Sequence, residues 1–319
     1  VIAVVIPCFR VKRHVLEVLA AIPPEVGRVY VVDDACPEGS GDLVEGSCRD
    51  PRVRVLRHER NEGVGGATLT GYRAALADGA RVIVRLDGDG QMDPAAIPRL
   101  VRPVLDGEAD YAKGNRFFEL EGLRAMPRLR LLGNSLLSFA SKLSSGYWNV
   151  FDPTNGFTAI HAEVLRRLPL DKLARGWFFE SDLLFRLGIL RAVVCDVPIP
   201  ASYGDEESSL VIRRVVGPFA WRHLVNTGKR IFYGYYLRNF NIASLEIALG
   251  VPLLLFGAWI GVTRWVEGSL HDVPATSGTV MLAALPIIVG MQLVLAFFGY
   301  DMENVPRDVL HRRLERPAA

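Results

Sequence analysis

The sequence predicts an α/β domain with a mostly parallel sheet and helices on both faces, followed by interfacial helices and a C-terminal pair of membrane-spanning helices. Three observations carry this expectation. Short β-branched runs alternate with segments of helical spacing, acidic or glycine-rich turns follow those runs, and the last third of the chain holds two long apolar stretches.

Residues 1–7 are an apolar run ended by Pro7. They are too short for a span and lack the basic flank of a leader, so a buried first strand is expected. Residues 29–32 and 81–86 repeat the β-branched pattern, with helical spacing over 14–22 and 67–78. Continuous Val/Ile runs fit strands covered on both faces, hence a parallel βαβαβ unit whose ligand lies beyond the carboxyl ends of its strands. After residue 117 the pattern loosens. An arginine-studded apolar stretch at 124–148 is expected as an interfacial helix, followed by a loop at 152–157, a helix near 180–190 and a last strand at 192–197.

Residues 242–262 carry a single charge, Glu246, and residues 273–300 carry none. Each stretch matches or exceeds the ~20 apolar residues that cross a bilayer core. Lys229, Arg230 and Arg238 precede the first, and Arg307, Arg312, Arg313 and Arg316 follow the second, whereas Arg264 is alone between them. That asymmetry predicts a multi-pass protein of the cytoplasmic membrane with both termini cytoplasmic. The expected organisation is an α/β domain at 1–212, a basic and aromatic interface segment at 213–241, two spans within 242–300 (about 242–263 and 278–300), and a basic tail at 301–319. With 37 basic against 35 acidic residues there is no overall field, which excludes a general nucleic-acid binder. The cysteines Cys8, Cys36, Cys48 and Cys195 form no C-x-x-C pair, so neither a zinc site nor a disulfide framework is expected.

The chemistry concentrates after the strands. Asp87-Gly88-Asp89-Gly90-Gln91 puts carboxylates on a glycine-rich turn, the oxygen donors that Mg²⁺ or Mn²⁺ takes, with a nucleotide diphosphate supplying the rest. A calcium loop competes poorly, because Pro94-Ala95-Ala96-Ile97 interrupts the run of oxygen ligands it needs. Asp33-Asp34 ends the second strand, where a carboxylate can meet a nucleobase or ribose, or cap the next helix. Arg60-Asn61-Glu62-Gly63-Val64-Gly65-Gly66 opens a helix with little bulk but lacks G-x-G-x-x-G spacing, which argues against a nicotinamide dehydrogenase.

Ile6-Pro7-Cys8-Phe9, Val31-Val32-Asp33-Asp34, Asn61-Glu62-Gly63 and Asp87-Gly88-Asp89-Gly90-Gln91 resemble, in order and spacing, the signatures of inverting family 2 glycosyltransferases. The similarity covers residues 1 to about 215 and points to the dolichol-phosphate mannose synthase and bacterial polyprenyl-phosphate glycosyltransferase branch. The resemblance implies a GT-A fold in which Pro7, Phe9, Val32 and Asp34 hold the nucleoside. Asp87 and Gly88 would lie at the diphosphate, with Asp87, Asp89 and Gln91 at the metal. Arg116, in Lys113-Gly114-Asn115-Arg116, resembles the family's phosphate-facing arginine. Asp152 and Asn155 fall in a loop like that lining the sugar pocket. Glu180-Ser181-Asp182 resembles the acid-x-acid motif, with Asp182 as base or as orienting group, since a lipid phosphate needs no deprotonation.

One segment departs from the family. The loop at 201–209 is acidic where relatives carry basic residues, which leaves Arg213 and Arg214 as the nearest acceptor-phosphate candidates. The implied reaction moves a sugar from a nucleotide-sugar donor to polyprenyl phosphate at a lipid bilayer, with inversion. Alternatives are a hydroxyl acceptor with Asp182 as base, and a non-catalytic membrane scaffold. Whether the chain forms a homo-oligomer stays open.

Overall fold

The computed structural model describes residues 1–118, 128–199 and 212–314, with side chains outside 128–132 and 212–215. The loop at 201–209 lies outside the described residues, as do the side chains of Arg213 and Arg214. Two compact units form: residues 1–227 together with the chain from 306 onward, and residues 228–305.

The first unit begins β1 (Ile2–Cys8), α1 (Val15–Ala20), β2 (Val26–Asp33), α2 (Ser40–Ser47), β3 (Val53–Arg57), α3 (Gly63–Ala77) and β4 (Val82–Arg85). It continues through α4 (Ile97–Leu105), β5 (Tyr111–Asn115), α5 (Arg128–Ser145), β6 (Thr158–His161), α6 (Ala162–Arg167), α7 (Phe179–Leu190) and β7 (Val194–Pro198). The seven strands lie in the order β3-β2-β1-β4-β6-β5-β7, all parallel except β6. The Val/Ile runs behave as their composition requires: Val4, Ile6, Val29, Val31, Val82 and Val84 are fully buried in one core. Because β6 alone runs backward, the loop that enters it arrives at the edge where β1, β2, β4 and β5 end. This reversal brings residues 152–157 to the acidic turns.

α8 (Ile212–Ile231) crosses from the first unit into the second. Its early turns pack on the first unit through Phe178, whose ring meets Phe219 and His223 edge-on, and through a 2.8 Å hydrogen bond between Ser144 and His223. Burial lowers the His223 pKa to about 4, so this contact is made by a neutral ring. On α5 and α8 of the same unit, Leu136, Phe139, Val216, Trp221 and Leu224 remain exposed.

The chain re-enters the first unit through α11 (Leu310–Leu314). Its anchor is Asp110, fully buried, which accepts the backbone N–H groups of Val193, Leu310 and His311 and pairs with His311 Nδ1 at 2.8 Å. The His311 ring stacks on His161 with centroids 4.0 Å apart. A carboxylate with this many donors is replaced poorly by an amide, whose NH₂ would face other N–H groups. Asp110→Asn is expected to cost about 3 kcal/mol and lower the melting temperature of the purified protein by roughly 5–10 °C.

In the second unit, α9 (Ile242–His271) and α10 (Ser277–Glu303) are each long and apolar enough to cross a membrane, and only 11% of the most apolar window of either is buried. Small residues let them approach: a Cβ on Gly290 would meet Gly250 O and Leu254 N at 2.8 Å, and one on Gly257 would meet Ala283 O at 2.7 Å. α9 runs nine residues past the apolar stretch of 242–262, with Arg264 and Glu267 paired one turn apart at 2.8 Å on its added turns. Before α9, Arg230 forks onto Asp301 at 2.6 and 2.9 Å, and the Tyr235 hydroxyl donates to the same carboxylate at 2.6 Å.

Candidate active site

The edge formed by the ends of β1, β2, β4 and β5 gathers the acids and bases singled out from the sequence, though not all in the same way. Pro7 and Val32 are neighbours in the β1–β2 register and are buried, whereas Phe9 just beyond is 42% exposed and presents an aromatic face. Asp34 is only 2% exposed. Its oxygens accept the N–H groups of Glu62 and Gly63 at 2.8 Å each and pair with His58 Nδ1 at 2.7 Å, while His58 Nε2 meets Thr70. It therefore organises the amino end of α3, in keeping with the favour that end gives a carboxylate. Asp33 does the same for the following loop, accepting from Cys36 N and Gly41 N.

The glycines of α3 serve close approach. A Cβ on Gly65 would lie 2.4 Å from Ala174 O and one on Gly63 2.7 Å from Arg175 O, so the 174–176 segment rests directly on the helix. Asp182 holds that segment from the other side, accepting Ala174 N–H at 3.0 Å and Arg186 Nε–H at 3.1 Å. Glu180, two residues earlier on α7, faces the acidic turn instead.

That meeting runs through a residue the sequence reading missed. Arg85, the last residue of β4 and 3% exposed, donates one terminal nitrogen to Asp87 Oδ1 at 2.8 Å and the other to Glu180 Oε1. Desolvation works against its charge, but Asp87 and Glu180 outweigh it and raise the pKa. Gly156 closes the cluster, since a Cβ there would fall 2.7 Å from Asp87 Oδ2 and 2.9 Å from the guanidinium. The available signal was a lone arginine inside a run of Val, Ile and Leu. In Asp87-Gly88-Asp89-Gly90-Gln91 itself, Gln91 N–H donates to Asp89 Oδ1 at 3.0 Å, and Gly90 turns the chain at φ +78°.

Beside this cluster, Arg116 grips Asp152 through two bonds of 2.8 and 3.2 Å. Asn155 spends its amide on Gly114 O and Phe157 N–H, so it shapes the loop. Lys113 was not anticipated either: it is fully buried and donates to Asn155 O. Desolvation lowers its pKa from the ordinary 10.5 to about 8, against the pull of Asp152, Glu180 and Asp196, with Arg116 assisting the shift.

A lysine whose folded pKa lies below its unfolded value destabilises the fold while charged, and that cost fades as pH rises between the two values. Relative to Lys113→Met, wild type is expected to gain about 2 kcal/mol between pH 7 and pH 10. Melting curves of both proteins across that range check it.

No group of three or more His, Cys, Asp or Glu side chains placed to hold a metal ion occurs among the described residues. Two carboxylates and an amide on one turn leave most coordination positions to diphosphate or water oxygens. That donor set fits Mg²⁺ or Mn²⁺, which dehydrate reluctantly and bind through one or two carboxylates plus phosphates.

An undecaprenyl-phosphate mannosyltransferase of Micrococcus luteus is 35% identical over 173 residues, covering 54% of this chain and 70% of the relative. A polyprenol monophosphomannose synthase of Mycolicibacterium smegmatis is 32% identical over 208 residues, covering 61% and 75%. Among solved structures, glucosyl-3-phosphoglycerate synthase of Mycobacterium tuberculosis in complex with UDP superposes with a TM-score of 0.53 at 22% identity, over 72% of this chain and 79% of that one. A further structure of that synthase holds Mn²⁺, UDP and phosphoglyceric acid, at a TM-score of 0.53 and 20% identity over 72% and 78%. At these identities the structural likeness is one of fold, the GT-A-like fold that the resemblance implies. The family model described as Glycosyl transferase family 2 matches residues 3–168, more than half of the chain, and the chain belongs to that family.

Proposed function

We propose that this chain transfers a sugar from a nucleotide diphosphate to a polyprenyl phosphate at the cytoplasmic face of a membrane, inverting the anomeric carbon. The observation that carries the reading is the Asp87 to Gln91 turn, with Arg116 beside it, in a chain that also holds two helices long enough to span a bilayer. The relatives named for undecaprenyl phosphate and polyprenol monophosphomannose support the acceptor class.

In this reading Phe9 stacks against the base, while Asp34 keeps the amino end of α3 in place beneath the nucleoside. Asp87, Asp89 and Gln91 would hold a divalent cation. Bound there, Mg²⁺ or Mn²⁺ supplies positive charge to the departing diphosphate. Arg116 presents a fork of donors to phosphate, and the Asp152 carboxylate keeps that fork aimed. The acceptor phosphate is already an anion at neutral pH, so its oxygen attacks the anomeric carbon without a base, and the developing charge is met by groups fixed in advance. Asp152 and Asn155 border the sugar, and Arg213 and Arg214 border the acceptor. The lysines and arginines that flank the two apolar stretches support the cytoplasmic assignment, with both termini cytoplasmic.

The test uses the purified full chain, short-chain polyprenyl phosphate and a panel of sugar nucleotides, reading nucleoside diphosphate release and lipid-linked sugar. Release that depends on both polyprenyl phosphate and a divalent cation is expected. Transfer only to hydroxyl acceptors would sink the reading.

A further inference from the structure

Three segments distant in sequence converge on one buried guanidinium. Arg85 holds Asp87 with one terminal nitrogen and Glu180 with the other, its ring-facing side lies 5.9 Å from the centroid of Phe179, and Gly156 leaves no room for movement. Its third nitrogen, Nε, finds no partner among the described residues. Both terminal nitrogens therefore go to acids of the site.

A guanidinium so placed does two things to a neighbouring cation site. It occupies one edge of Asp87, and it keeps Glu180 from turning toward the same cation as a third carboxylate. Charge count and ligand number set the affinity of oxygen-ligand sites. With Arg85 present, the protein offers a cation two carboxylates opposed by a nearby positive charge; without it, three carboxylates are offered and the opposing charge is gone.

We propose that Arg85 is a positioning residue that makes cation binding conditional on the diphosphate, by holding Glu180 and one edge of Asp87 away from a bare metal ion. The site then takes up its cation together with the nucleotide, whose phosphate oxygens complete the coordination and outweigh the Arg85 charge. This rests on the nucleotide-diphosphate reading given above.

The experiment measures Mn²⁺ uptake by the full chain in detergent, with and without UDP or GDP, by the paramagnetic signal of free Mn²⁺. Wild type should bind bare Mn²⁺ weakly and gain on the order of a hundredfold when the nucleotide is present. In Arg85→Met, bare Mn²⁺ should bind about tenfold more tightly, with the nucleotide-dependent gain reduced to match. In Arg85→Met/Glu180→Gln, the bare-ion affinity should return toward wild type, a reversal that a general loosening of the fold would not produce. If Arg85→Met does not fold, Arg85→Gln takes its place. Glu180→Gln gives an independent reading with Arg85 intact: bare Mn²⁺ affinity should not change, and a tenfold loss there would mean that Glu180 is already a ligand and overturn the proposal. An unchanged or weaker bare-ion affinity in the folded Arg85 variants overturns it too. Wild type whose Mn²⁺ affinity rises with neither UDP nor GDP would instead bring down the diphosphate reading together with this one.

Discussion

Asp89→Asn is expected to reduce transfer a thousandfold or more while leaving the melting temperature within a few degrees of wild type. Asp89 stands on the turn after β4, partly exposed, where one of its oxygens accepts the Gln91 N–H at 3.0 Å. Asparagine preserves that acceptor and the side chain's volume, so the loss is one of charge at the cation and diphosphate rather than of packing. A thousandfold corresponds to about 4 kcal/mol in the transition state, within the range that electrostatic groups at a reacting centre supply. Asp87→Asn is a poorer probe, because Asp87 is also the partner of buried Arg85 and its neutralisation leaves that charge undercompensated. The check is turnover with polyprenyl phosphate across a range of Mn²⁺ concentrations, alongside melting curves. Activity retained near the wild-type level across that whole range, saturating Mn²⁺ included, would move Asp89 out of the cation site.

Much of the fold was legible because its central strands are continuous β-branched runs, and residues 1–7, 29–32 and 81–86 correspond to β1, β2 and β4. β3 was not seen: Val-Arg-Val-Leu-Arg at the sheet edge is only partly buried, so its pattern is mixed. β5 hides for another reason. Tyr-Ala-Lys-Gly-Asn is fully buried yet contains no β-branched residue, and what fixes it as a strand is pairing with β6 and β7 on either side.

Within the site, a motif reveals residue types but not which way they turn. Asp182 and Glu180 are two residues apart on a helix and so face different neighbours, which is why one clamps the 174–176 segment and the other meets Arg85. Arg85 and Lys113 escaped notice because a buried cation inside a strand has no periodic signature. Only the tertiary structure supplies the carboxylates and carbonyls that make such burial tolerable.

The placement of Asp182 also sharpens the choice between a phosphate and a hydroxyl acceptor. A hydroxyl is a poor nucleophile until its proton is removed, and a positioned base contributes roughly 10²–10⁴-fold. A phosphate needs no such help. With a phosphate acceptor, Asp182→Asn keeps an oxygen for Ala174 N–H and loses only the charge facing Arg186, so about a tenfold loss of turnover is expected, or ~1.4 kcal/mol. Arg116→Lys should then be the more damaging change. Its two bonds to Asp152 come from a rigid fork that an ammonium cannot reproduce, and in the proposed reading that grip aims the guanidinium at phosphate, so a loss of about a hundredfold, ~2.7 kcal/mol, is expected although the charge remains. Both variants are measured with short-chain polyprenyl phosphate over a range of pH, with melting curves as the control for folding. Should Asp182→Asn lose a thousandfold or more while Arg116→Lys stays near wild type, the acceptor is a hydroxyl, Asp182 is its base, and the phosphate-acceptor reading fails.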